Sequence, residues 1–173
     1  MQDRPLANRL AALATSLDDA VHAETDELSA SAVAALQTIR QIGPMAIQDV
    51  ARIIGLTHSA TVRLIDRLEK DWLVRRLSRK GREVRVEATA RGRRRAGQFQ
   101  DRRLAAADAL LAALDAEERT VLARAIDKML EASVTDAGRA DRTCRSCDRE
   151  ACRAKGCPVE AAAAALPEVP AKP

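Results

Sequence analysis

The sequence predicts a mainly helical chain carrying one small β-hairpin, and three observations predict it. Hydrophobic residues make up 47% of the 173 positions, much of that alanine, and the aromatics are only Trp72 and Phe99. A core built from alanine and leucine with abundant arginine favours packed helices and excludes an all-β sandwich or a large α/β enzyme. Apolar residues recur at spacings of three and four over most of the chain, the period of a half-buried helix. Only once, near Glu83 to Ala88, does that period give way to strict alternation. The length suits one compact domain with little left over.

The elements follow in order. Leu6, Leu10, Leu13, Leu17 and Val21 form one apolar stripe, predicting a helix over 6–21. A second helix runs from Ser29 to Ile42 with Val33, Leu36 and Ile39 inward, and stops at Gly43-Pro44. A short helix, Ile47 to Ile54, turns Val50, Ile53 and Ile54 to the core, and Gly55 closes it with a backbone that tolerates the left-handed region. Thr57 caps the next helix, which reaches Lys70 with Thr61, Leu64, Ile65 and Leu68 inside. Leu73-Val74 and the alternating Val84, Val86 and Ala88 make two strands, with Arg79-Lys80-Gly81-Arg82 at the hairpin tip. Helices resume from Thr89 to about Leu114, and again after the cap Asp115 with Val121, Leu122, Ile126, Met129 and Leu130. Two short helices joined at a glycine, then a basic hairpin, then helices: this is the order of a winged helix-turn-helix. In that arrangement Thr57, His58 and Ser59 open the second helix, where side chains meet base edges in a major groove.

Charge points the same way. The formal net charge is only +4, yet Arg75, Arg76, Arg79, Lys80, Arg82, Arg85, Arg91, Arg93, Arg94 and Arg95 face only Glu83 and Glu87 in their stretch. A dense local patch suits a polyanion met on one face, and arginine suits forked contacts to phosphate and guanine. On charge alone a solvated surface explains the patch equally well; its place beside a helix-turn-helix favours contact. His58 is read as a base or phosphate contact, and His22, beside acidic residues, as a solvated surface histidine.

The run Asp49-Val50-Ala51-Arg52-Ile53-Ile54-Gly55-Leu56-Thr57-His58-Ser59-Ala60, followed by Arg63-Leu64-Ile65-Asp66-Arg67-Leu68-Glu69, resembles the MarR family of bacterial transcription regulators. Leu73-Val74-Arg75-Arg76, Lys80-Gly81-Arg82 and Ala88-Thr89-Ala90-Arg91-Gly92 continue the likeness in order, over about 6–135. The resemblance implies a homodimer whose first and last helices interlock, binding double-stranded DNA at a palindromic operator and usually repressing nearby genes. It implies that Arg82 is the wing arginine of the minor groove, and that Asp66 and Arg67 are the acidic-basic pair of the recognition helix. The DNA-binding set is therefore Thr57, His58, Ser59, Val62, Arg63, Arg67, Arg79, Lys80 and Arg82. A small aromatic or lipophilic effector between the DNA-binding lobe and the dimer helices is a further implication; the expected pocket lining is alanine and leucine. Cytoplasmic location fits a regulator without a membrane-spanning run or the apolar core of a signal peptide near Met1.

Three positions depart from the family pattern. Thr61 and Val62 exchange an apolar and a hydroxyl position, which turns Val62 to the groove if the helix frame holds. Trp72 stands where a glycine is usual; tryptophan at positive φ is strained, so Asp71 is expected to take that conformation or the helix to end differently. Lys80 replaces a common acidic residue and makes the hairpin tip more basic.

The four cysteines all fall late, as Cys144-x2-Cys147-x4-Cys152-x4-Cys157. Clustered thiols in a cytosolic protein argue for metal or redox chemistry over a disulfide framework. Zinc in a four-thiolate shell, an iron–sulfur cluster and oxidisable free thiols all remain open, with Gly156 turning the chain before Cys157. The chain thus divides into a dimerising winged domain at 1–137, a cysteine segment at 138–160 entered through a polar linker after Gly138, and a disordered tail at 161–173. No Ser-His-Asp set and no phosphate-binding glycine loop is present, and four cysteines on a zinc leave no open position for water, so an enzyme is not expected. The alternative to a sequence-specific regulator is a non-specific nucleic-acid-binding or nucleoid-type protein with a zinc knuckle.

Overall fold

The computed structural model describes residues 3–22, 28–78 and 83–167. Helices α1 (Arg4–His22) and α2 (Ala30–Ile42) lead to strand β1 (Met45–Ala46) and helices α3 (Ile47–Ile54) and α4 (His58–Lys70). Strands β2 (Val74–Arg76) and β3 (Arg85–Ala88) form the wing, followed by α5 (Ala90–Leu111) and α6 (Ala116–Ser133). The chain ends in α7 (Ala137–Thr143), a 3-10 turn (Cys144–Ser146), α8 (Arg149–Arg153) and α9 (Pro158–Ala164).

Thr57 and Asp115 cap their helices as anticipated, and Ser29 and Thr89 cap α2 and α5. Ser29, Thr57, Thr89 and Asp115 each accept a backbone N–H with the side chain, and Asp115 with Glu118 completes a capping box. The core of the winged domain is α2, packed on α3, α5 and β3. Ala35, Leu36, Ile39, Val50, Ile65 and Val86 are wholly buried there, while Val33 is only half-buried.

The wing is a three-stranded antiparallel sheet in the order β1-β3-β2. Val74 pairs with Ala88 and Arg76 with Val86, placing Val74, Val86 and Ala88 on the core face. Strand β1 was not anticipated: its Met45 and Ala46 gain strand geometry only by pairing with Val86 and Arg85.

Three expectations are corrected. Trp72 itself takes the left-handed conformation, at φ 58°, while Asp71 stays at φ −84°. The turn is held by bonds from Trp72 N–H to the Glu69 carbonyl (3.0 Å) and Leu73 N–H to the Leu68 carbonyl (2.8 Å), and the indole is left 75% exposed. Burying Leu73 selects this turn, and Trp72 carries its strain. The stretch after Gly138 is not a linker: it is α7, started by the Asp136 side chain accepting from the Arg139 N–H at 2.7 Å. Nor is 161–173 a tail throughout, because Ala161 to Ala164 belong to α9, whose Val159 is buried with Val134 and Ala140. Residues 168–173 lie outside the described residues.

Helices α1 and α6, with Leu104 and Leu110 of α5, keep apolar surface uncovered by the described residues. On α1, Leu6, Leu10 and Leu13 are exposed, and α6 buries no residue, leaving Val121, Ile126 and Met129 exposed.

Candidate nucleic-acid interface and cysteine lobe

Helices α3 and α4 meet at Gly55, which lies in the left-handed region at φ 73°, ψ 29° and bonds through its N–H to the Ala51 carbonyl. A side chain other than glycine is strained in that conformation. Thr57 then starts α4, accepting from the Ala60 N–H (3.3 Å), while Thr61 donates its hydroxyl to the Thr57 carbonyl (3.0 Å). Thr61, Leu64, Ile65 and Leu68 are buried, as their period requires, so the opposite face looks outward.

That outer face holds Thr57, His58, Ser59, Arg63 and Arg67, all exposed. Ser59, Arg63 and Arg67 are spaced by one helical turn each and form a stripe. Neither Arg63 nor Arg67 makes an ion pair among the described residues. Val62 departs from its expected place: it is half-buried and packs against the core cluster. Thr61, its neighbour, is fully buried. Arg79, Lys80 and Arg82 lie outside the described residues.

Part of the basic stretch is structural. Arg76 bridges Asp66 (2.6 Å) and Glu69, and its N–H reaches Glu69 Oε1 at 2.9 Å. Asp66, implied by resemblance to be half of a recognition-helix pair, thus ties α4 to β2. Arg75 pairs with Glu87 across the strands, Arg85 bonds the Pro44 carbonyl, and Arg93 bonds the Ala88 carbonyl at 2.7 Å. Charge counting missed these bonds because the partners come from other elements. Helix α5 is seated on the end of α4 by Thr89, whose hydroxyl bonds the Trp72 carbonyl at 2.6 Å. Gly92 permits the approach: a Cβ there would lie 1.9 Å from the Leu73 carbonyl oxygen.

Beside this junction runs a cleft of about 700 Å³ lined by Leu28, Asp71, Leu73, Arg91, Arg94, Arg95 and Gln98. It is cationic, unlike the alanine and leucine lining expected for an effector pocket. Arg95 also stacks over the Phe99 ring, 5.0 Å from its centroid.

Residues 28–81 match the model of the MarR family. Over that segment the chain is similar to the MarR family. Its fold is similar to that of a MarR family protein from Bacillus stearothermophilus, at 24% identity and a TM-score of 0.65 over 75% of this chain and 95% of that one. It is likewise similar to MepR, a transcription regulator of the Staphylococcus aureus multidrug efflux pump MepA, at 17% identity and a TM-score of 0.63 over 76% and 98%. RV1404 from Mycobacterium tuberculosis aligns at 23% identity and a TM-score of 0.69, over 78% of this chain and 96% of that one. No curated protein matches the sequence. Among the described residues no helix is long and apolar enough to cross a membrane.

Beyond the winged domain, α7 to α9 fold the four cysteines around one cavity of about 140 Å³, also lined by Ala140, Asp141, Arg149 and Val159. Gly156, at φ 82°, turns the chain back before Cys157, as its spacing suggested. The thiols act on one another across this cavity, Cys144 with Cys147 and Cys157, and Cys152 with Cys157 and Cys147. The Cys144 bond, then the charges of Arg103 and Arg149, hold Cys147 down at about 6 against the effect of burial. Its partner Cys144 is pushed upward by the same bond and by burial, and Cys152 is pushed up to about 11 by burial and its bond to Cys157. Among the described residues, no three His, Cys, Asp or Glu side chains are gathered so as to hold a single metal ion.

Besides its apolar packing on α6, the lobe is fastened to the winged domain by polar bonds. Arg52 of α3 pairs with Asp141 of α7 at 2.7 Å. Arg103 of α5 donates to the Ser146 carbonyl at 3.1 Å, and the Gln100 amide spans the Ser146 carbonyl (3.1 Å) and the Asp148 N–H (3.2 Å). Sequence reasoning missed these bonds because each joins residues more than forty apart.

Proposed function

We propose that this chain is a homodimeric, sequence-specific regulator that places α4 in the major groove of a palindromic operator and represses the adjacent genes. The observation that carries this reading is the outward face of α4. Thr57, His58, Ser59, Arg63 and Arg67 are exposed there, and neither arginine is engaged in an ion pair among the described residues. Such guanidiniums on a helix at the front of a helix-turn-helix suit phosphate and guanine edges. Arg79, Lys80 and Arg82 add a basic wing tip whose contact, by family resemblance, is the minor groove.

Dimerisation is supported by the uncovered apolar faces of α1 and α6. Leu6, Leu10 and Leu13 against Val121, Ile126 and Met129 of a second copy would remove that surface from water. The cationic cleft between α4 and α5 suits an effector bearing a carboxylate or phosphate, with Arg91, Arg94 and Arg95 as its partners.

Selection from a pool of random duplexes tests the reading. Enrichment of an inverted repeat with half-sites about one helical turn apart is the expected result. Recovery of no preferred sequence would instead favour the non-specific, nucleoid-type alternative.

A further inference from the structure

We infer that Cys147 is a modification site: its sulfur exchanges with a small zwitterionic disulfide, the oxidised form of a thiol-bearing amino acid or peptide, and Cys144 resolves the product into a disulfide within the chain. Two openings meet at this residue. Cys147 lines the cavity it shares with the other three cysteines, and it also lines a second cleft of about 250 Å³ between the end of α2 and the lobe. Around the thiol, that second cleft carries Arg40, Gln41, Asp148, Arg149 and Glu150. The arginines suit carboxylates, and the two acidic side chains suit an ammonium group. The polar atoms of the Gln41 amide are buried with no partner among the described residues. A peptide group entering the cleft would give that amide the donor and acceptor it lacks.

The backbone brings the second thiol within reach. Cys144 to Ser146 form a 3-10 turn, and the Cys147 N–H closes it on the Cys144 carbonyl at 3.2 Å. The ends of such a turn have Cα atoms less than about 7 Å apart, which overlaps the span of about 4.4–6.8 Å that a disulfide bridges. Cations stand beside the sulfur. Arg149 lines both openings, and Arg103 of α5 donates at 3.1 Å to the carbonyl of Ser146, the residue before Cys147. Positive charge there favours the thiolate, which is the attacking form. The Cys147 thiolate attacks one sulfur of the incoming disulfide, forming a mixed disulfide and expelling the other half. The Cys144 thiolate then attacks the Cys147 sulfur, closing the internal disulfide and expelling the second half. The two cysteines together lose two electrons to the incoming disulfide, and the protons they give up end on the two released thiols.

The inference stands apart from the DNA-binding reading and is tested without DNA. The reduced full chain is incubated with oxidised glutathione in the absence of oxygen, quenched with acid, and its cysteines are mapped by peptide mass spectrometry. The expected main product is a disulfide between Cys144 and Cys147, with Cys152 and Cys157 still reduced. In Cys144→Ser the reaction stops with one glutathione joined to Cys147, and in Cys147→Ser the internal disulfide does not form, while circular dichroism shows the helices of both variants intact. Oxidised glutathione reacts several times faster than the uncharged disulfide of mercaptoethanol, and Arg40→Ala narrows that difference. Modification spread evenly over the four cysteines, a first disulfide at Cys152 or Cys157, or equal rates with the two probes overturns the inference. So does a chain isolated with metal on these thiols and inert to both probes.

Discussion

The winged domain and the cysteine lobe are held together by different means, and the difference explains how each was read. The winged domain encloses a continuous apolar core in which Leu36, Ile39, Val50, Ile65 and Val86 are almost fully hidden from water. The lobe buries only Val134, Ala140 and Val159 in a small cluster, and relies on side-chain bonds and the thiols for the rest. Periodic burial leaves a trace along the sequence; a lobe closed by polar bonds leaves little.

The largest expected effect lies at the seam of the winged domain. Gly92→Ala forces a methyl group into the Leu73 carbonyl and should cost about 3 kcal/mol or more, read by chemical denaturation. Leu36→Ala, at the centre of the core, should cost about 3 kcal/mol in the same assay. Val159→Asp, in the small cluster of the lobe, should loosen α7 to α9 while leaving that transition in place, which hydrogen exchange would resolve. If the two regions melted as one unit, the contrast between them would be wrong.

Smaller effects sharpen the comparison. Trp72→Gly relieves a left-handed tryptophan whose side chain is largely in solvent, and should raise stability by about 1 kcal/mol. A loss of stability would show that the indole packs against something other than its own chain. Arg52→Ala breaks the half-exposed pair to Asp141 and should cost under about 1 kcal/mol. Its more informative effect is on exchange protection of α7, which should fall while that of α2 is unchanged.

The helix-turn-helix was legible because local chemistry dictates it. Gly55 ends α3 and Thr57 starts α4 for reasons contained in a few neighbouring residues. The buried set of α4 follows from its period alone. What escaped depends on distant partners: β1 exists because Val86 lies alongside it, and α7 is stable because Asp141 meets Arg52 and Ala140 meets Val159. Arg75, Arg76, Arg85 and Arg93 counted as free charge in the sequence and are engaged in the fold. Intrinsic preference disfavours the conformation of Trp72, and the burial of Leu73 next to it outweighs that preference.

The central claim is that the outer face of α4 meets DNA, and fluorescence anisotropy against a selected duplex over a range of salt tests it most directly. The double variant Arg63→Ala/Arg67→Ala should bind at least tenfold more weakly, with a salt slope shallower by about 1 for each phosphate it no longer neutralises. Arg75→Ala, whose side chain is tied to Glu87, should bind nearly as the parent does. Unchanged affinity and slope in the double variant would contradict the assignment of α4 as the recognition helix.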